Sequence, residues 1–282
     1  MTQTKMNNPK KLKVLAIGDI FGAPGVETVE KILPELIKDK NIDFVIAQAE
    51  NATGRKGLGK EDLDRLKKVG INAFTMGNHV WAQQEIYDFI DNEPVIRPYN
   101  INETYPGKGT IVFDVKGTKV RVTSMMGIVF NELNRPWTEQ SANNFFDAAD
   151  KIINSDFDNN DEVIDYHLID FHAETTSEKY VFSLYLDGKV DAIWGTHTHV
   201  QTNDAHILPN GTAYVTDLGM VGPMDCAIGA NFEEVYRKMR FNSKDRFVVS
   251  PNSTQFNAAL ITLDKINGNS IESINISNVI KK

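Results

Sequence analysis

Apolar and polar positions fall in short blocks along the chain, and the spacing inside each block predicts strands and helices in turn. Six apolar runs rich in Val, Ile or aromatic residues read as strands: LKVLAIGD (12–19), DFVIAQAE (43–50), NAFTMGN (72–78), VIDYHLIDFH (163–172), VDAIWGTH (190–197) and TAYVTDLG (212–219). Between the first three the period becomes helical. Val26, Val29, Ile32, Leu33, Leu36 and Ile37 share one face of a helix over 26–40. Leu63 and Leu66 do the same over 60–70, where Gly70 is a stop signal. Strand–helix–strand order predicts parallel βαβ units. Two segments depart from it. Alternating runs flank Lys116-Gly117 within 109–127, and 256–264 and 270–280 flank Asn267-Gly268. Both read as antiparallel hairpins. The sum is an α/β chain with two mixed sheets, a flexible tail over 1–11 and a single domain over 12–282. The polar stretch 154–162 reads as a surface loop, and no solenoid repeat is present.

Composition narrows the functional classes. The chain has 282 residues and a net charge of −8, from 38 acidic and 30 basic side chains. No apolar run reaches the ~18 residues that span a bilayer. Asp19 cuts the first apolar stretch, so no secretory signal is read. The single cysteine, Cys226, cannot form an internal disulfide, and a cytoplasmic location is expected. The acidic balance disfavours long nucleic acid. It leaves room for a local cationic site built from metal ions. A homo-oligomer is compatible with all of this.

Side chains able to bind metal fall where the strands end. Asp19 closes the first; Glu50 and Asn51 the second; Asn78 and His79 the third; His172 the fourth; His197 and His199 the fifth. In open α/β sheets, ligands gather outside the carboxyl ends of the strands. Two carboxylates, two amides and four histidines would therefore meet at one rim. Eight candidates are too many for one tetrahedral ion. They fit two ions with Glu50 between them, about 3.5–4 Å apart, an arrangement that clamps phosphoryl groups. Imidazole with carboxylate suits zinc, iron, manganese or nickel better than calcium.

Taken singly, each residue has a plainer reading. Asp19 could cap a helix, and Asn78 could be a turn residue beside Gly77. The argument lies in the constellation. Other features are weaker. GDIFGAPGVET (18–28) lacks the spacing of a phosphate loop and reads as a strand–helix turn. Cys226 has Asp225 beside it, which disfavours a thiolate. His167 and Trp81 read as core, His206 as a loop residue, and Arg55 and Lys56 as a solvated loop.

The segments GDIFG, AEN, GNH, DFHAE, GTHTHVQT and TDLGM resemble, in this order, the calcineurin-like metallophosphoesterases, and among them the YmdB-like branch. The resemblance covers about residues 12–265. It implies a four-layer αββα sandwich, two mixed sheets flanked by helices, with the site at the carboxyl ends of the strands. It implies that Asp19 and His199 hold one metal, that Asn78, His172 and His197 hold the second, and that Glu50 bridges them. His79 becomes the general acid or a stabiliser of the transition state. The wider superfamily has Asp-x-His where this chain has Asp19-Ile20-Phe21, so Asn51 is the candidate replacement ligand. Glu50 stands where Asp is usual, and Cys226 where Ser is expected in the branch. The cofactors expected are two divalent or trivalent transition-metal ions, iron or manganese ahead of zinc. The activity implied is phosphodiester hydrolysis of 2′,3′- or 3′,5′-cyclic nucleotides by a metal-bridging hydroxide. A phosphomonoesterase or a non-catalytic nucleotide-binding module are the alternatives.

Overall fold

The computed structural model describes residues 10–154 and 163–281. The first half runs β1 (Leu12–Ile17), β2 (Asp19–Ile20), α1 (Gly22–Lys40), β3 (Phe44–Gln48), α2 (Lys60–Lys68), β4 (Ala73–Thr75), α3 (Ile86–Phe89), β5 (Val95–Ile96), β6 (Thr110–Val115) and β7 (Thr118–Met126). The second runs α4 (Phe145–Asn154), β8 (Tyr166–His172), α5 (Thr176–Leu186), β9 (Ala192–Thr196), β10 (His206–Ile207), β11 (Ala213–Val215), β12 (Met220–Pro223), α6 (Phe232–Phe241), β13 (Thr254–Leu263) and β14 (Ser270–Ile276).

Two mixed sheets result. The eight-stranded sheet has the order β2-β12-β13-β1-β3-β4-β5, with β14 paired to β13. Strands β1, β3, β4 and β5 are parallel, while β13 runs against β1. The six-stranded sheet has the order β10-β11-β9-β8-β7-β6, parallel from β11 to β7 and antiparallel at both edges.

Alternation along each strand makes the layers. Leu12, Val14 and Ala16 of β1 meet Val120, Val122, Leu168 and Trp194 of the other sheet in one buried cluster. Leu15 and Ile17, the alternate positions, turn outward onto Val26, Val29 and Leu33 of α1 and Leu63 and Leu66 of α2. On the far side Ile169, Phe171 and Ile193 pack on Phe145 of α4 and Phe182 and Leu186 of α5. The order helix, sheet, sheet, helix is the four-layer architecture expected.

Both hairpins form. Lys116 and Gly117 have φ of 57° and 83°, the left-handed pair that a two-residue turn between twisted strands requires. Several boundaries differ from the sequence reading. Asp19 does not end β1 but opens β2, because the chain steps at Gly18, whose Cβ would lie 2.2 Å from the Gly219 carbonyl oxygen. Helix α1 starts at Gly22, with Pro24 in its first turn. His206 is not in a loop; it begins β10 opposite Tyr214. Strand β14 stops at Ile276, and 277–280 carry no strand. Most of the expected tail and of the loop over 154–162 lies outside the described residues. Lys10, within that tail, donates from its backbone N–H to Thr118 Oγ1 at 3.3 Å. Among the described residues no helix is long and apolar enough to cross a membrane.

Gly195, inside β9, allows the close approach of the 212–219 segment: a Cβ there would lie 1.8 Å from the Thr216 carbonyl oxygen. Gly195→Ala is expected to destabilise the fold by about 3 kcal/mol, a fall of about 6–10 °C in Tm. An unchanged thermal melt would show that β9 and β11 are not held this tightly.

Candidate functional site

All eight residues singled out in the sequence meet at one place. Asp19 follows the step after β1, and Glu50 and Asn51 follow β3. Asn78 and His79 follow β4, His172 is the last residue of β8, and His197 and His199 follow β9. Both sheets point the carboxyl ends of these strands the same way, so the site straddles the gap between them. A continuous chain of contacts of 3.5 Å or less joins every member.

Glu50 is central and 1% exposed. Its Oε1 lies 3.1 Å from His79 Nδ1 and 3.2 Å from His172 Nε2. Its Oε2 accepts the His79 backbone N–H at 2.9 Å. His172 Nε2 also faces Asn78 Oδ1 at 3.0 Å and His197 Nδ1 at 2.9 Å. On the other side, His199 Nε2 lies 3.5 Å from Asp19 Oδ1 and 3.3 Å from Asn51 Nδ2. Asn51 turns its Oδ1 to His79 Nδ1 at 2.9 Å. Asp19 Oδ2 accepts the His197 backbone N–H at 3.2 Å.

The ring orientations are set from behind. His172 Nδ1 contacts Thr196 Oγ1 at 3.0 Å, and Thr196 donates to Asp170 at 2.6 Å. His197 Nε2 meets Glu174 Oε2 at 3.0 Å, and His199 Nδ1 donates to the Ile228 carbonyl at 2.9 Å. In each case one ring nitrogen bonds to an outer oxygen and the other turns inward, the pattern that fixes imidazole ligands around a metal. The two histidines after β9 adopt φ of 95° and 65°. Such backbone is costly for residues with a Cβ and persists only where the surroundings hold it. Asp217 supplies part of that hold. Its buried carboxylate takes Lys179 Nζ at 2.6 Å, Thr198 Oγ1 at 2.7 Å and the Gly219 N–H at 2.8 Å.

These residues fit metal ions. Four atoms converge on the position beside His172 Nε2: Glu50 Oε1, Asn78 Oδ1, His197 Nδ1 and Nε2 itself. One ring nitrogen carries at most one proton, so one hydrogen cannot serve all three neighbours. Asp19 Oδ1 and Glu50 Oε1 are buried, and no well-aligned hydrogen bond reaches either among the described residues. Glu50, His172 and His197 place their ligand atoms within 4.8 Å of one another. The electrostatics agree. Burial alone would raise the Glu50 and Asp19 carboxyls, but the facing imidazoles hold both below their usual range. Burial opposes a charge on His172, yet Glu50, Asp19 and Asp170 raise it to about 9. Burial and the neighbouring His172 push His197 down to about 3. The buried carboxylates therefore draw positive charge to this pocket, while His197 stays neutral beside it.

The sequence reading gives no role to the outer groups: Asp170, Glu174, Thr196, Lys179, Asp217 and Gln48, whose Nε2 lies 3.2 Å from His172 Nδ1. Asp170 and Glu174 fall within DFHAE, Thr196 within GTHTHVQT and Asp217 within TDLGM, each as part of a family segment without a role. Residues read as structural are so. His167 is buried against Thr123 Oγ1 at 2.9 Å, and Trp81 is 3% exposed. Cys226 bonds to its own loop, to the Pro223 carbonyl at 3.2 Å.

Comparison with known proteins defines the class. The fold is shared with a 5′-nucleotidase precursor from Thermus thermophilus, whose structure aligns with a TM-score of 0.57 at 13% identity over 97% of this chain and 56% of that one. A closer match is the crystal structure of a phosphatase from Mycoplasma pneumoniae, with a TM-score of 0.86 at 34% identity over 95% of this chain and 94% of that one. The chain is 38% identical to the 2′,3′-cyclic-nucleotide 2′-phosphodiesterase of Bacillus subtilis (strain 168), over 90% of this chain and 92% of the relative. The YmdB-like protein family matches residues 15–276, and the chain belongs to that family. It is an enzyme of the phosphoester-hydrolase class.

Gly77 tests the metal reading from outside the ligand set. A Cβ at this position would lie 2.2 Å from His172 Cδ2. Gly77→Ala is expected to displace the imidazole and to lower bound metal per chain at least about twofold, in line with the roughly 10–100-fold affinity losses seen when ligand positioning fails. Unchanged metal content by elemental analysis would contradict the role given to His172.

Proposed function

We propose that the chain is a phosphodiesterase acting with two bound transition-metal ions on small cyclic nucleotides, the 2′,3′-cyclic class first. The observation that carries the reading is the convergence of Glu50, Asn78 and His197 on His172 Nε2, in a pocket where the buried Asp19 Oδ1 and Glu50 Oε1 receive no well-aligned hydrogen bond. In this reading Asp19, Asn51 and His199 hold one ion, Asn78, His172 and His197 the other, and Glu50 lies between them. Iron or manganese is favoured over zinc, because oxygen donors outnumber imidazoles around the first ion. Bound there, the ions supply Lewis-acid polarisation of the phosphoryl oxygens and a nucleophile at neutral pH. The cyclic-nucleotide substrate is supported by the activity named for the Bacillus subtilis relative. A domain over 12–282 working in the cytoplasm accords with the sequence reading.

The chain's own groups then divide the remaining work. Thr196 and Asp170 hold the His172 ring in place from behind. His79 sits at the edge, with its side chain 24% exposed and Nδ1 turned inward to Glu50 and Asn51. Its Nε2 has no partner among the described residues and faces outward. A proton held there is placed to pass to the leaving alkoxide as the P–O bond breaks.

His79→Ala is expected to keep metal content and lower kcat about 10²–10⁴-fold. Full activity in this variant would remove His79 from the chemistry. Hydrolysis of bis(p-nitrophenyl) phosphate is expected to exceed that of p-nitrophenyl phosphate. The reverse order would make the chain a phosphomonoesterase on the same residues.

A further inference from the structure

A second feature opens from the same rim. A cavity of about 380 Å³ is bordered by His199 and continues between the segment 220–228 and strands β13 and β14. Its volume is in the range of pockets that hold a small organic ligand. Its lining is unlike the metal site. Val200, Met220, Pro223 and Ile228 give it apolar walls, and Gln255, Asn257 and Asn275 bring carboxamides. No Lys or Arg lines it, and its titratable groups are His199, the Cys226 thiol and the exposed Asp225 carboxylate. With no Lys or Arg and an acidic Asp225, such a chamber is poorly matched to a phosphate. It suits an uncharged group with both donors and acceptors.

Two side chains there keep polar atoms that make no hydrogen bond among the described residues. Asn257 is 2% exposed, and its Oδ1 accepts from Asn275 Nδ2 at 2.5 Å. Asn257 lines the cavity, and its Nδ2 has no hydrogen-bond partner among the described residues. The Gln255 side chain is half-buried and also makes no hydrogen bond among the described residues. Gly219 preserves the space, since a Cβ there would lie 2.9 Å from Asn257 Nδ2. A buried amide left unpaired costs stability unless a ligand or water completes it.

We infer that this cavity receives the base of the substrate nucleotide, with Gln255 and Asn257 reading its polar edge. This rests on the phosphodiesterase reading above. Carboxamides are the side chains that pair with base edges through two hydrogen bonds. The phosphate, held at the metal rim, and the base, held past His199, then divide one substrate between a cationic and a neutral compartment.

The test uses the metal-loaded full chain. Gln255→Ala and Asn257→Ser are compared with wild type on 2′,3′-cyclic nucleotides and on bis(p-nitrophenyl) phosphate, which carries no base. The ratio of the two kcat/KM values is expected to fall about tenfold in each variant, the worth of one hydrogen bond. The fall is expected in KM for the cyclic nucleotide. Free adenosine, guanosine, cytidine and uridine are also titrated calorimetrically into wild type and Gln255→Ala. At least one nucleoside is expected to bind wild type and to weaken in the variant. An unchanged ratio, an equal loss on both substrates, or the absence of nucleoside binding overturns the inference. If wild type binds a nucleoside that competes with bis(p-nitrophenyl) phosphate but turns over no cyclic nucleotide, the base pocket stands and the cyclic-nucleotide reading falls.

Discussion

Burying Asp19 and Glu50 between two sheets is the constraint on which the rest of the structure depends. A buried carboxylate needs a nearby positive charge or several donors, or it gives up its own charge. Here donors are scarce and four imidazoles stand close. The carboxyls stay ionised because His172 and His199 are held more basic than a free imidazole, while His197 is left neutral. That balance is also what a cation would exploit, replacing the proton on His172 and meeting lone pairs already aimed at it.

The scaffold is arranged to keep those groups in place. Parallel strands from both sheets end at one rim, so each candidate ligand sits at or just after a strand whose other residues are locked in a core. Behind the rim, Asp170, Glu174, Asp217 and the Ile228 carbonyl each fix one imidazole or its loop. The buried Lys179–Asp217 pair is the most exacting of these contacts: it reaches from α5 to the segment after β11 and ties down Thr198, between two histidines in left-handed backbone. Neutralising one partner would leave the other charged in the core, at a cost of about 3–5 kcal/mol. The loop therefore keeps a backbone form that it would not hold alone.

Much of this is legible in the sequence, and the misses have physical causes. Strands β1, β3, β8 and β9 are buried on both faces and stand out as apolar runs. The hairpin turns show through Lys116-Gly117 and Asn267-Gly268. The ligand candidates show because each sits where such a run stops. Helix α5 escapes the sequence reading because Tyr180, Val181 and Leu184 keep its outer face apolar, which blurs the helical period. His206 looks like a loop residue because a two-residue strand leaves almost no pattern. The outer groups are invisible for another reason. Asp170 meets Thr75 and Thr196, and Asp217 meets Lys179, across distances in sequence that no local spacing encodes. Likewise the Asn257 amide reads as one more strand residue until β12 and β14 are seen beside it.

A net charge of −8 is a poor start for a protein that handles phosphate. The contradiction dissolves if the charge that matters comes from ions held by a few of those acidic groups. The direct check is metal stoichiometry. Protein purified without oxygen, loaded with manganese or iron and freed of excess should carry two ions per chain by elemental analysis, and should lose both its ions and its phosphodiesterase activity to a strong chelator. A chain that holds no metal under these conditions, or that keeps full activity once stripped, would contradict the account at its centre.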